Sequence, residues 1–268
     1  MPWEPQAGDQ ETGLTGGPID TEIPNSSPDV AQDGLIWQLV DSAFPSGGFA
    51  HSGGLEAACR WMQVNSTAQL EEFLRHSLVQ MGRGSVPFLV AAHDRLDRFG
   101  EVDCQCDAFL NNHVANRASR LQGQAFLAAA ESAFGAQRID RGGETVPAVA
   151  QRRADWLTKQ RRSIGVGQSH LHLAVVFGGV TSLFQLPVQQ AVHMFLYTNL
   201  RDLISAAVRL NIVGSLEAQS IQFRLSRFAN HVGTCCWQIT PREATQTAPM
   251  ADLFQATHRR LYTRLFQS

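Results

Sequence analysis

The feature that most constrains this fold is an apolar period of three and four residues that recurs through most of the chain. It is clearest from Pro187 to Leu210, where a proline suited to a first helical turn precedes a one-sided apolar pattern. The apolar positions are Val188, Val192, Phe195, Leu196, Leu203, Ala207 and Leu210. This spacing predicts a helix of about six turns.

Further segments with the same period are predicted to be helices. They are Ser66 to Met81, with Ser66 as its N-cap, Val114 to Phe134, Ser169 to Phe184, and Ser215 to Val232. Alternation with period two is scarce, and no hairpin dipeptide is flanked by strand patterns. The sequence therefore predicts an all-α protein that forms a single multi-helix bundle of about ten helices.

One predicted helix is apolar over much of its circumference between Leu171 and Phe184, which is typical of a central position in a bundle. Gly178 and Gly179 lie inside it, and each costs about 1 kcal/mol relative to alanine. Close approach of a neighbouring helix and a local bend both account for such glycines. The sequence leaves these two explanations open.

Two stretches have no hydrophobic period. Residues 1–33 are rich in Pro, Gly, Ser and acids and are predicted to be a disordered acidic tail. The segment from Gly135 to Val149 has the same character and is predicted to be an exposed loop. The helical domain is thus expected to span residues 34–268. The acids of the tail, which contains no base, are Glu4, Asp9, Glu11, Asp20, Glu22, Asp29 and Asp33.

Charge and cysteine content exclude several classes of protein. The net charge is -2, Lys159 is the single lysine among 22 bases, and no stretch is basic enough to predict binding to nucleic acid. No apolar run of about 18 residues predicts a membrane span, and no signal-peptide pattern is present, so we expect a cytoplasmic protein. The five cysteines are expected to be reduced thiols, since a chain of this size needs no disulfide framework.

Catalytic and metal-site patterns fit poorly. The chain has no phosphate-binding GxxxxGK[ST] loop, and Ser52 beside His51 lacks the glycine and the strand of a nucleophile elbow. His170 and His172 would lie on different faces of a helix and so could not chelate together. The cysteines do not form the spaced pairs of a zinc site; they are Cys59, Cys104, Cys106, Cys235 and Cys236.

The segment PSGGFAHSGGLE, residues 45–56, has the pattern of a loop that becomes a helix. Its glycines permit unusual torsions, Ser52 is a candidate cap, and Glu56 would lie at the positive end of the helix dipole. An apolar strip is expected along one side, made of Phe49, Leu55, Cys59 and Met62. The pattern alone fits either a helix start packed on the core or a functional surface.

The same segment closely resembles the signature of the urease accessory protein family UreF, P-x-G-[AG]-F-[AS]-[YH]-S-x-G-[LF]-E, which follows an opening like LIWQLVDSAFPSGGF. The region from FGGVTSLF to IQFRL resembles the paired central helices of that family, and MADLFQATHRRLYTRLFQS resembles its terminal helix. The resemblance extends over roughly residues 35–268.

The resemblance implies a helical, homodimeric protein without catalytic activity. Members of the family bind UreD, called UreH in some systems, and so form a platform for the nickel-binding GTPase UreG, which delivers nickel to apo-urease. The chain would be an adaptor that couples GTP hydrolysis by UreG to nickel insertion. It would hold no stable cofactor, because the complex handles the nickel.

The resemblance also indicates where partners bind. The segment after Leu253 has an amphipathic pattern with arginines at its rim, so a terminal helix is expected to dock on a partner, although packing on its own bundle is the alternative. The implied partner-binding residues are Pro45, Gly47, Gly48, Phe49, His51, Ser52, Leu55, Glu56, Arg259, Arg260, Leu261, Tyr262, Arg264, Leu265, Phe266 and Ser268.

Two other functions stay open at the level of sequence. A helical metal-dependent hydrolase would use Cys104, Cys106 or scattered histidines, and a generic helical scaffold would have no connection with nickel. Binding to both UreD and UreG distinguishes the adaptor from either alternative.

Overall fold

The computed structural model describes residues 28–61, 63–135, 148–165 and 169–268. All regular structure within these ranges is helical, which confirms the predicted all-α bundle. Its α-helices are α1 (Pro28–Val40), α2 (Leu55–Arg60), α3 (Thr67–Gly84), α4 (Val86–Asp94), α5 (Phe99–Phe109), α6 (His113–Phe134), α7 (Ala148–Gly165), α8 (Leu173–Leu183), α9 (Val188–Arg209), α10 (Ser215–Cys236) and α11 (Pro249–Thr257).

Most predicted helices begin and end close to the expected residues. Ser66 is the N-cap of α3, as predicted, because its side chain accepts a hydrogen bond from the Gln69 amide. Helix α9 begins directly after Pro187, and α6 begins one residue before Val114. The apolar faces of these helices explain both why the helices form and how long they are.

The expected boundary of the tail differs from the structure. Helix α1 starts at Pro28, six residues before Gly34, so the helical region begins inside the stretch expected to be disordered. The remainder of that stretch, residues 1–27, lies outside the described residues, as do residues 136–147 of the predicted loop. Helix α7 already includes Val149, which was expected to end the loop.

Helix α8 is the central element of the bundle and packs against α4, α5, α6 and α9. A side chain at Gly178 would place its Cβ atom 2.1 Å from the carbonyl oxygen of Leu89 in α4, and one at Gly179 would meet the Trp156 ring at 2.7 Å. Close helix approach therefore explains these glycines. Helix α10 packs on α9 and α3 outside this centre.

The start of α8 was predicted four residues too early. The backbone amides of His170, Leu171 and His172 donate hydrogen bonds of 2.6, 2.8 and 2.9 Å to the buried Asp103 carboxylate. Leu171 has a φ of 60°, which prevents a continuous helix through this turn. A distant acid thus determines where the helix begins.

This turn also brings together two histidines that were expected to diverge. His170 and His172 both approach Oδ1 of Asp107, with nitrogen to oxygen distances of 3.6 and 3.1 Å. Burial works to raise the pKa of Asp107, but hydrogen bonds from Asn116 and His172 outweigh it, and the net shift is downward. The expectation that these two histidines lie on different faces of a helix is wrong, since both precede the first residue of α8.

No helix among the described residues has both the length and the apolar character that crossing a membrane requires.

Candidate functional site

The segment of residues 45–56 forms two tight turns before α2. Gly47, Gly53 and Gly54 have φ values of 73°, 57° and 91°, which are unfavourable for residues with a side chain. Gly48 faces the Asp202 carboxylate so closely that a Cβ atom would lie 2.0 Å from it. The glycine pattern is therefore required by the path of the backbone.

Ser52 caps the helix from a different position than predicted. Helix α2 begins at Leu55 and its N-cap position is held by Gly54, but the Ser52 hydroxyl accepts a hydrogen bond of 3.4 Å from the first-turn amide of Glu56. The same hydroxyl donates to the carbonyl oxygen of Ser268 at 3.0 Å. This hydrogen bond joins two residues that are 216 positions apart in the sequence. It connects residues 45–56 to the C-terminal segment, which the family resemblance also implies in partner binding.

The C-terminal segment also differs from the expected terminal helix. Helix α11 ends at Thr257, a short 3-10 turn covers His258–Arg260, and residues 261–268 are not helical. These residues fold back onto residues 45–56. We call the two segments together, residues 45–56 and 258–268, the clamp surface.

Glu56 is the centre of the clamp surface. Its carboxylate accepts hydrogen bonds from the backbone amides of Leu265, at 2.6 Å, and Phe266, at 3.1 Å. Its Oε2 atom also lies 2.9 Å from Nε2 of His258, and both side chains are fully buried. A buried carboxylate is stable only when it is paired in this way. These bonds replace those that a helix would make, so the segment departs from helical geometry.

A second set of bonds joins the ends of the two segments. The amide of Ser52 donates to the carbonyl of Ser268 at 2.6 Å, and the amide of Gln267 donates to the carbonyl of Ala50 at 2.9 Å. The ring nitrogen Nδ1 of His51 lies 2.5 Å from the Ser268 hydroxyl. Burial, and secondarily the nearby His258, lowers the pKa of His51 to about 4, so the ring is neutral near pH 7.

Arg209, at the end of α9, connects the segments through their aromatic rings. Its guanidinium carbon lies 3.7 Å from the centre of the Phe49 ring and 4.1 Å from that of Phe266. The guanidinium also donates a hydrogen bond to the carbonyl oxygen of Phe49. Sequence reasoning missed Arg209, since nothing in the pattern of α9 distinguishes it from a solvent-exposed arginine.

The implied partner-binding residues divide into an inner and an outer group. The inner group is buried and comprises Gly48, His51, Ser52, Leu55, Glu56, Phe266 and Ser268, while Leu261 is partly buried. The outer group is exposed and comprises Pro45, Gly47, Phe49, Arg259, Arg260, Tyr262, Arg264 and Leu265. The inner residues hold the surface together, and only the outer residues are available to another protein.

The expected apolar strip along residues 49–62 does not form. Phe49 is 65% exposed and Leu55 is completely buried, so they face different surroundings. Cys59 is partly buried, and Met62 lies outside the described residues. The turns at Gly53 and Gly54 separate Phe49 from the helix and so break the assumed helical register.

The described residues offer little for metal or hydrolytic chemistry. Within them, no three His, Cys, Asp or Glu side chains are grouped so that they could hold a metal ion. Cys104 is exposed whereas Cys106 is buried, and burial raises the pKa of the Cys106 thiol. The ring of His51 contacts Ser268 at Nδ1, and the Ser52 hydroxyl donates to a carbonyl, so this pair lacks the bond between nucleophile and base.

Comparison with known proteins decides the family. The family model described as UreF matches residues 64–226. The chain belongs to the UreF family of urease accessory proteins. Urease accessory protein F of Arabidopsis thaliana is 34% identical over 236 residues, which is 87% of this chain and 91% of the relative.

Other relatives of this UreF-family chain agree with that assignment. Urease accessory protein F of Oryza sativa subsp. indica is 32% identical over 256 residues, covering 93% of this chain and 92% of the relative. Urease accessory protein UreF of Trichodesmium erythraeum is 27% identical over 245 residues, covering 89% and 97%. The resemblance noted in the sequence is confirmed, and membership indicates an accessory role without catalysis.

Proposed function

We propose that this chain is a cytoplasmic adaptor in urease maturation. It binds UreD, or its equivalent UreH, through the clamp surface, and the resulting complex recruits the GTPase UreG. The complex couples GTP hydrolysis by UreG to nickel insertion into apo-urease, with nickel as cargo and not as a resident cofactor of this chain. The chain acts as a homodimer and binds neither nucleic acid nor membrane.

The main support for this proposal is that residues 45–56 and 258–268 lie together and form one surface. Family resemblance implicated both, although more than 200 residues separate Glu56 from the amides that it binds. Buried polar bonds hold the backbone in place, while Phe49, Tyr262 and Leu265 remain 65%, 102% and 53% exposed. An ordered backbone carrying exposed aromatic and aliphatic side chains is typical of the centre of a protein interface.

The exposed arginines support a protein partner for the same reason. Arg259, Arg260 and Arg264 surround Tyr262 in sequence and are exposed. Arginine binds carboxylates with two parallel hydrogen bonds, so a rim of arginines around apolar side chains favours a partner with acidic groups around an apolar centre. The hydrolase alternative has no comparable arrangement in its favour.

Co-purification with UreD and UreG tests the adaptor function. The intact chain is expected to form a defined complex with UreD and then to retain UreG, and it is expected to show no GTPase activity alone. Tyr262→Ala should weaken UreD binding by about 10-fold or more, as loss of an aromatic anchor does. Its side chain is fully exposed, so the fold should be unaffected.

Phe223→Ala provides the matched control, because Phe223 is 78% exposed on α10, outside the clamp surface. It should bind UreD as the unmodified chain does. Failure of the intact chain to bind both proteins would overturn the adaptor proposal. Equal loss of binding in the two variants would overturn the placement of UreD on the clamp surface.

A further inference from the structure

A histidine and a cysteine lie one turn apart on the exposed side of α10. His231 and Cys235 are separated by four positions in this helix, so their side chains lie on the same face. Both residues are exposed. The Cys235 sulfur lies 3.8 Å from Nε2 of the His231 ring and 4.0 Å from Nδ1. Within the described part of the chain, neither side chain is hydrogen-bonded to any other group.

The distance between the two side chains fits a tetrahedral metal ion. A thiolate sulfur and an imidazole nitrogen bind zinc at about 2.3 and 2.1 Å, so at a tetrahedral angle the two atoms lie about 3.6 Å apart. At the angle of about 90° of a square-planar or octahedral ion, the same bonds place them only about 3.1 Å apart. The observed 3.8 Å is closer to the tetrahedral value. Because χ2 of histidine is a broad torsion, the exposed ring can turn a nitrogen towards the ion.

The position of the pair in the helix also favours a cation. Helix α10 ends at Cys236, so both side chains lie in its last two turns. The carbonyl groups at the end of a helix carry partial negative charge, which stabilises cations there. Arg227 is the nearest charged residue earlier in the helix, and it lies a further turn away from this negative end.

We propose that His231 and Cys235 form an open, two-ligand site for a divalent cation of the zinc type. As the bond between sulfur and metal forms, the thiol proton is released to solvent, and the imidazole binds in its neutral form. The ion thus replaces the proton that the thiol shares with the ring in the free protein. Water takes the other two positions, so the site agrees with the finding that no three ligand side chains are grouped among the described residues.

This site does not depend on the proposed adaptor function. It lies on α10, outside the clamp surface, and it differs from the handling of nickel as cargo because its geometry favours a tetrahedral ion. With two protein ligands and two waters, the ion is exchangeable and is not a structural zinc that holds the fold together. Loss of the ion should therefore leave the helical structure intact.

Titration of the reduced, full-length chain with Co²⁺ tests the site. Co²⁺ accepts the same ligands as zinc, and absorption by charge transfer from thiolate to cobalt reports directly on the bond to sulfur. We expect this band to appear, together with the intense visible bands of tetrahedral cobalt, and to disappear when Zn²⁺ is added. Cys235→Ser should remove the thiolate band. His231→Gln should weaken Co²⁺ binding by about 10-fold or more, since even the outer partners of a metal ligand contribute that much.

Cys104→Ser provides the matched control, because Cys104 is also an exposed thiol but lies on α5. It should bind Co²⁺ as the unmodified chain does. The proposal would be overturned if the unmodified chain gave no thiolate band or if the band survived in Cys235→Ser. Equal Co²⁺ affinity in His231→Gln and the unmodified chain would also overturn it, since the thiol would then bind without the ring. Circular dichroism of each variant establishes that the fold is intact.

Discussion

Helix α8 and the C-terminal segment 258–268 are stabilised in contrasting ways. Helix α8 is almost entirely apolar, and its glycines allow the backbone of α4 to approach closely. The C-terminal segment is fixed by buried hydrogen bonds of the Glu56 carboxylate with His258 and with two backbone amides, while Nδ1 of His258 is buried without a partner. Apolar packing shapes the interior, whereas specific polar bonds shape the candidate surface. Substitutions can be designed to break each type of contact separately.

The largest effect is expected at Gly178. In Gly178→Ala the new methyl group would lie 2.1 Å from the carbonyl oxygen of Leu89, so α8 and α4 would be forced apart. We expect the free energy of unfolding to fall by more than about 3 kcal/mol, because overpacking against backbone cannot be relieved by a rotamer change. Urea denaturation followed by circular dichroism measures this change.

The control is Gly100→Ala in α5, where a Cβ atom would meet nothing within 4 Å. This substitution should leave stability unchanged or raise it by up to about 1 kcal/mol, as alanine is favoured over glycine in helices. If both variants had equal stability, packing at Gly178 would not be a determinant of the fold.

The next largest effect on stability is expected at Glu56, in the centre of the clamp surface. Glu56→Gln leaves His258 and the amides of Leu265 and Phe266 with one neutral acceptor group in place of a carboxylate. We expect the free energy of unfolding to fall by about 3 kcal/mol, since the loss of a carboxylate that accepts three buried hydrogen bonds leaves polar groups poorly compensated. Limited proteolysis should also cleave the variant after Arg259, Arg260 or Arg264 faster than the unmodified chain. Unchanged cleavage at these sites would show that Glu56 does not hold the segment.

A smaller effect is expected from the titration of His51, whose pKa is about 4 in the folded protein against 6.5 in an unfolded chain. Between these values the unfolded state binds more protons, so stability is present above pH 6.5 and is lost as the pH falls. At pH 5 the loss is about 2 kcal/mol. His51→Asn should remove this part of the pH dependence, and an identical pH profile in the variant would assign the loss to other groups.

The contrast also explains which features could be predicted from the sequence. The interior helices were predicted because apolar periodicity reports directly on which face is buried. The close approach at Gly178 could not be separated from a bend, because the answer depends on Leu89 of another helix. The start of α8 was misplaced because Asp103, far away in the sequence, binds the amides that precede it.

The sequence singled out the two segments of the clamp surface but not the contacts between them. Family resemblance named both segments, yet the amphipathic pattern indicated a terminal helix where residues 261–268 are not helical. No local pattern shows that Glu56 binds amides more than 200 positions away or that Arg209 lies between Phe49 and Phe266. Long-range polar contacts of this kind leave no periodic pattern in the sequence. They can therefore be recognised only in the folded structure.

Hydrogen exchange at the amides of Leu265, Phe266 and Gln267 in the free protein tests the central claim most directly. If the clamp surface is formed before any partner binds, these three amides are protected, because they donate to Glu56 and to Ala50. The account predicts slow exchange without a partner and faster exchange in Glu56→Gln. Exchange at the rate of an unstructured peptide until UreD is added would contradict it.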